Sequence, residues 1–213
     1  MKYLYLLVLS LNGLFAFSQN LRVVFAQEWH IEELAPGLGT NIAKKVNNCI
    51  SIFQYNYSGN LSDYYFVENR KKDPNLPGKL TINETILYKD LNNNYIYKLT
   101  KPHPNKVMRE KLRSEEQWDL SQRDTMSICG YVCHKALLGG NESTEFWFAP
   151  DIPVLDGPLE YYGLPGFILQ VRHKGMSLTA ITVEFPKNLP AIRLPIQEKY
   201  ITSDEFKKLT NPE

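Results

Sequence analysis

EFWFAPDIPVLDGPLEYYGLPGFILQV, Glu145 to Val171, sets the architecture: two aromatic-rich segments flank a connector punctuated by Pro150, Pro153, Pro158, Pro165, Gly157, Gly163 and Gly166. Such a segment reads as a built turn between strands and not as a reaction centre, since none of these residue types attacks, deprotonates or binds a metal on its own. Leu164-Pro165-Gly166-Phe167 suits a type II turn, Pro165 presetting φ near −65° and Gly166 accepting a positive φ.

Outward from the connector, the chain speaks mostly in strands. Phe167–Arg172 and Ser177–Phe185 flank Lys174-Gly175 as one hairpin, and Ile128–Leu138 and Thr144–Phe148 flank Gly139-Gly140-Asn141 as another. Upstream, Leu21, Val23, Phe25, Gln27 and Trp29 share one parity, the period-2 pattern of a strand with a single buried face. Ile50–Tyr57 and Tyr64–Glu68 pair across Ser58-Gly59-Asn60, and Thr85–Lys89 and Tyr95–Leu99 pair across Asn92-Asn93-Asn94. Lys101 to Asn105 reads as a break, with weaker strands at Val107–Leu112 and Glu116–Leu120. A Pro36-Gly37-Leu38-Gly39 breaker precedes a short helix over Thr40–Val46, and Thr202-Ser203-Asp204-Glu205 is a capping box for a terminal helix over Ser203–Leu209. The sum is a β-rich α+β chain: one antiparallel, hairpin-built sheet curved into a bowl or half-barrel, with a short C-terminal helix.

Met1-Lys2, the apolar run Tyr3–Phe17 and the small residues around Ser18 have the form of a signal peptide over residues 1–18, cut before Gln19. The run falls short of the ~20 residues that span a bilayer, so the mature chain, 19–213, is expected to be exported, free of a membrane span, and a single domain. It would lie in the periplasm, at the outer membrane or outside the cell. A formal charge of +1 from 24 basic and 23 acidic side chains gives no electrostatic reason to bind nucleic acid. Arg70-Lys71-Lys72-Asp73-Pro74 reads as a solvated loop. Asn-x-Ser/Thr sequons at Asn56, Asn60, Asn83 and Asn141 are what an Asn-rich composition produces, and they are not read as glycan sites.

Four blocks in order resemble the GLPGLI family of exported Bacteroidetes proteins. They are Trp118; Ile128-Cys129-Gly130-Tyr131-Val132-Cys133-His134-Lys135-Ala136, which fits I-x-G-Y-x-C-x-K-A; Trp147 to Pro153 with Gly157-Pro158; and Gly163-Leu164-Pro165-Gly166-Phe167-Ile168, with Phe167 where the namesake has Leu. The resemblance implies a bowl-like sheet similar to that of lipoprotein-carrier proteins and, distantly, to the N-terminal bowl domain of a flavobacterial peptide N-glycanase. It implies no established activity. The motif residues Trp118, Gly130, Tyr131, Pro153, Gly157, Pro158, Gly163, Leu164, Pro165 and Gly166 are then architectural, with Gly130 relieving a strand and Trp147 filling a core.

On one strand Cys129 and Cys133 would stand about 13 Å apart, too far to bridge, which leaves Cys49 to pair with either in an oxidising compartment. Cys133 occupies the family position, so the resemblance favours Cys49–Cys133, against three buried thiols as the alternative. Met126, Cys129, Cys133 and His134 have the soft chemistry of a copper or zinc site, but adjacent Cys133 and His134 face opposite ways on a strand and no C-x-x-C or H-x-x-x-H pair is present. No metal or cofactor is expected. His30, His103, His134 and His173 carry no hydrolase motif, and carboxylates such as Glu115, Glu116, Asp151, Asp156 and Glu160 read first as surface charge. Thirteen tyrosines, ten phenylalanines and three tryptophans exceed what a small domain leaves on its surface. These features describe a non-enzymatic binding or accessory protein of the cell envelope. It would take an apolar, peptide or glycan ligand in the concave sheet through Trp147, Tyr161, Tyr162 and Phe167, with the connector as rim or lid. A structural partner of an outer-membrane protein and a carboxylate-dependent hydrolase built on Asp151, Asp156 and Glu160 are the alternatives.

Overall fold

The alternation at the start of the chain produces β1 (Leu21–Trp29), with Leu21, Val23 and Phe25 fully buried on one face. The structure, a computed structural model, describes residues 20–31, 40–76, 84–112, 118–139 and 141–210. The expected signal peptide over residues 1–18, the Pro36–Gly39 breaker, Asn83, Gly140, Glu115 and Glu116 lie outside them.

After helix α1 (Thr40–Asn47) come β2 (Cys49–Ser58) and β3 (Leu61–Lys71), joined by Gly59 and Asn60, both at positive φ. Two such residues in succession make the primed turn that matches strand twist. Then β4 (Thr85–Asp90), β5 (Tyr95–Thr100) and β6 (His103–Lys111) follow as a meander. The second half supplies β7 (Trp118–Asp119), β8 (Thr125–Ile128), β9 (Tyr131–Leu138), β10 (Asn141–Ala149), β11 (Phe167–His173) and β12 (Met176–Glu184), before helix α2 (Ser203–Thr210). All twelve strands join one antiparallel sheet in the order β6-β5-β4-β3-β2-β1-β12-β11-β10-β9-β7, with β8 beside β7 on the outer edge of β9. Among the described residues the fold is mostly β, its named helices are two and short, and the sheet does not close, as the half-barrel expectation required. Register shifts at Val24/Phe25, Ile52/Phe53 and Trp147/Phe148 are the bulges that bend it. The capping box forms as expected, Thr202 and Glu205 exchanging bonds of 3.2 and 2.8 Å, which holds the exposed Glu205 carboxyl below its ordinary pKa.

Several expectations are corrected. Ile128–Leu138 is not one strand: Cys129 (φ +50°) and Gly130 (φ +83°) form a tight turn between β8 and β9. Gly130 is there for its backbone conformation, because a Cβ at that position would meet nothing within 4 Å. Cys129 therefore sits in a turn, and the same-strand geometry assumed for it does not arise. All three cysteines are free, and β1, β12, β11 and β10 lie between the strands of Cys49 and Cys133, so the Cys49–Cys133 disulfide is not formed. The Lys101–Asn105 break shrinks to a turn, because β6 starts at His103 and tolerates Pro104. Arg70 and Lys71 finish β3 instead of lying in a loop. Of Glu116–Leu120, Trp118–Asp119 pairs.

Candidate functional site

Proline chemistry shapes the connector between β10 and β11. Val154 N–H donates to Ile152 O at 2.7 Å and Gly166 N–H to Leu164 O at 2.7 Å, so Pro153 and Pro165 each stand at the centre of a three-residue turn. The type II turn expected at Leu164–Phe167 is thereby replaced, since Phe167 N–H donates to Ile152 O (3.1 Å) and not to Leu164 O. Gly166 has φ +150°, and a Cβ there would lie 2.3 Å from Ala149 O, so its missing side chain lets the two ends of the connector touch. Between these turns, Gly163 N–H bonds Leu155 O (3.0 Å) and Asp156 bridges Tyr162, making residues 155–163 a small hairpin.

This hairpin is a plug, not a rim or lid. Ile152, Val154 and Leu164 are buried in the main hydrophobic core with Phe25, Tyr55, Phe146 and Phe167. Trp118 Nε1 donates to Tyr162 O at 3.2 Å, and Trp118, Phe146 and Tyr161 stack edge to face at centroid distances of 4.8 and 4.6 Å. Tyr131 is partly buried against the same core.

Beneath the hairpin lies a fully buried ion pair, the Lys89 ammonium of β4 against Asp156 Oδ1. Asp156 Oδ2 accepts from Tyr55 Oη and Ser62 Oγ, each at 2.7 Å, while Lys89 Nζ also donates to Gly157 O (2.7 Å) and Tyr161 O (3.1 Å). Asp156 Oδ2 thus holds two hydroxyl donors and the ammonium holds two carbonyls, while Oδ1 meets the ammonium as an ion pair without a hydrogen-bond donor of its own. Burial first, and the Asp156 charge second, push the Tyr55 phenol well above its ordinary pKa. The network ties the connector to β2, β3 and β4. Gly157 fits only without a side chain, as a Cβ would stand 2.7 Å from the Ile168 Cβ, and Pro158 O accepts from Tyr161 N–H.

Two clefts flank the plug, and adjacent tyrosines serve one each. Tyr161 lines a cleft of about 360 Å³ with Ile96, Leu112, Leu138, Leu159, Glu110 and Glu160, at the open seam between the β6 and β9 sides of the sheet. Tyr162 lines a second, of about 450 Å³, with Tyr57, Asn60, Leu91, Asn94 and Leu155, at the tips of the β2–β3 and β4–β5 hairpins. Both volumes lie in the range of small-molecule sites.

Of the four expected ligand-binding residues, the structure brings only Tyr161 and Tyr162 to clefts. Phe167 and Trp147 are buried core residues. The carboxylates of the hydrolase alternative do not converge: Asp151 is exposed at a turn, Asp156 is sealed in its ion pair, and Glu160 pairs with Lys98. Met126 lies opposite Cys133 but Cys133 is buried and His134 exposed, and the described residues contain no group of three His, Cys, Asp or Glu able to hold an ion. Sequence reasoning missed Lys89, Tyr55 and Ser62. The available signal was parity, Lys89 sharing the inward face of β4 with buried Leu87.

A family model described as a protein of unknown function (Porph_ging) matches residues 140–170, the stretch that holds β10 and the connector. No curated protein matches. The fold is similar to PNGF-II, solved in a P21 crystal form (TM-score 0.61, 14% identity, 90% of this chain and 33% of that chain) and in a C2 form (0.54, 16%, 81% and 28%). This chain spans about a third of the length of that protein, and at such identity the likeness shows the fold alone. Among the described residues no helix is long and apolar enough to cross a membrane.

Proposed function

We propose that the chain is a GLPGLI-type exported protein of the cell envelope that binds a ligand without transforming it, using the clefts beside the connector hairpin. One observation carries the reading. A buried ion pair, with two hydroxyls on the carboxylate and two carbonyls on the ammonium, fixes the hairpin so that Tyr161 and Tyr162 line separate, small-molecule-sized clefts. Rigid placement of aromatic rings at a cleft lowers the ordering cost of binding. The export pattern at residues 1–18 supports the envelope setting, and the motif order from Trp118 to Ile168 supports the family reading. The dispersal of Asp151, Asp156 and Glu160 favours binding over carboxylate-dependent hydrolysis.

The test is native purification from fractionated envelopes, followed by mass spectrometry of co-purifying small molecules. Wild-type protein should carry a molecule that the Tyr161→Ala/Tyr162→Ala variant lacks. Identical small-molecule content in the two proteins would refute the reading. Turnover of the bound molecule, lost on Glu160→Gln, would replace it with a hydrolase.

A further inference from the structure

The two clefts differ in charge, and the difference names a ligand class for one of them. The seam cleft carries Glu110, Lys111 and Glu160, whereas the cleft at the hairpin tips has no charged side chain among its described lining residues. It offers instead two tyrosine rings, Tyr57 and Tyr162, and two amides, Asn60 and Asn94. We infer that this second cleft binds a short neutral saccharide, an inference that rests on the proposed binding function and specifies it for one site.

Three chemical classes can be weighed against that lining. An anionic or cationic ligand would lose its hydration with no counter-charge to meet it. A fatty chain would strip water from Asn60 and Asn94 and give their amides nothing in return. A neutral sugar satisfies both kinds of surface. Its C–H face suits the negative face of an aromatic ring, and its hydroxyls both donate and accept, as does a carboxamide.

The amides are also held in place. Tyr57 Oη donates to Asn60 Oδ1 at 2.6 Å, Asn60 Nδ2 donates to Asn92 Oδ1 at 3.0 Å, and Asn92 Nδ2 reaches Gly59 O at 3.5 Å. Asp90 Oδ1 in turn accepts from the Asn92 and Asn93 backbone N–H groups at 3.1 Å each. This relay fixes the Asn60 carboxamide while leaving it a further N–H and a further lone pair for a ligand. Asn94 makes no side-chain hydrogen bond among the described residues, and its φ of +57° sets it at the β4–β5 tip, where it lines the cleft. Leu155, 57% exposed, supplies an apolar rim.

Isothermal titration of the mature chain tests the inference with maltotriose, N,N′-diacetylchitobiose and mannotriose as neutral saccharides, tri-galacturonate as a charged one, and oleate as an apolar probe. At least one neutral saccharide should bind, and Tyr162→Ala and Asn94→Gly should each weaken it tenfold or more. The glycine keeps the positive φ while removing the amide. Ile196→Ala, 73% exposed and lining neither cleft, should leave the affinity unchanged, and unaltered melting temperatures will show that the variants fold. Failure of all three neutral saccharides to bind, or binding indifferent to Tyr162→Ala, overturns the inference. Oleate or tri-galacturonate binding that depends on Tyr162 also overturns it but leaves the binding function standing. If no probe binds and no molecule co-purifies from envelopes, both readings fall.

Discussion

Removing one member of the Lys89–Asp156 pair is the sharpest perturbation this fold allows. In Lys89→Met, the fully buried Asp156 carboxylate keeps the Tyr55 and Ser62 donors but loses its counter-charge, and Gly157 O and Tyr161 O lose their donor. Breaking a buried pair costs about 3–5 kcal/mol, and each orphaned polar group about 1–3 kcal/mol within that sum. For a domain of this size, about 2–4 °C per kcal/mol translates this into a fall in Tm on the order of 10 °C. Asp156→Leu alone should cost a similar amount, because it strands the ammonium. The double variant Lys89→Met/Asp156→Leu removes both charges, leaving two hydroxyls and two carbonyls short of partners. Its cost should fall below the sum of the singles by about 1–3 kcal/mol. Urea unfolding followed by tryptophan fluorescence supplies the three values, with Lys101→Met as a control. Lys101 pairs with Glu84 at the surface, both about half exposed, and its loss should cost about 1 kcal/mol or less. Additive single costs, or a Lys89→Met cost no larger than that of Lys101→Met, would refute the claim that the pair is sealed from water and clamps the plug.

Three further outcomes follow from other parts of the fold. Gly166→Ala should destabilise by about 2–5 kcal/mol, combining overpacking against the Ala149 carbonyl with backbone strain, whereas Gly130→Ala, in open space, should cost about 1–2 kcal/mol from strain alone; equal costs in thermal melts would show that close approach is not what Gly166 provides. Native protein should yield one reagent-accessible thiol, Cys129, and two protected ones, Cys49 and Cys133, with a melting temperature indifferent to reductant; a reductant-dependent Tm would restore a disulfide. Stability should decline as pH rises above about 9, because burial raises the pKa of the Tyr55 and Tyr64 phenols and pushes the Cys133 thiol up to about 11. The folded chain then holds protons that the unfolded chain has released, so the contribution is complete below the unfolded values and is lost as pH climbs through the folded ones; a flat Tm from pH 8 to 11 would contradict it.

Strands with one buried face were readable because their information is local. The period-2 pattern of β1 and the turn chemistry of Gly59-Asn60 and Lys174-Gly175 act over a few residues, and the structure keeps them. The β8–β9 turn was not readable because Cys129 is an uncommon residue at positive φ, so the apolar run across Cys129-Gly130 looked continuous. Pro165-Gly166 fitted a type II turn on local grounds. The partner that decided its geometry, Ile152 O, lies fourteen residues before Gly166 and competes for the Phe167 N–H that the turn would have used.

The site failed differently. Trp147 and Phe167 were singled out because a surplus of aromatic rings on a bowl-shaped sheet suggests a concavity open to a ligand. In the fold the connector itself occupies that concavity, and those rings pack around it. What remained for solvent was set by Asp156, whose charge could be buried only if Lys89, sixty-seven residues earlier, shared the inward face of its strand. A strand reading that treated each apolar parity as uniformly hydrophobic passed over that lysine. A lysine on the buried parity of a strand, together with an aspartate inside a Pro/Gly-rich plug motif, is thus the legible form of this lock. The residues that the proposed binding would use are then not the largest aromatics of the motif but Tyr161 and Tyr162, whose backbones the lock and Trp118 hold at the two clefts.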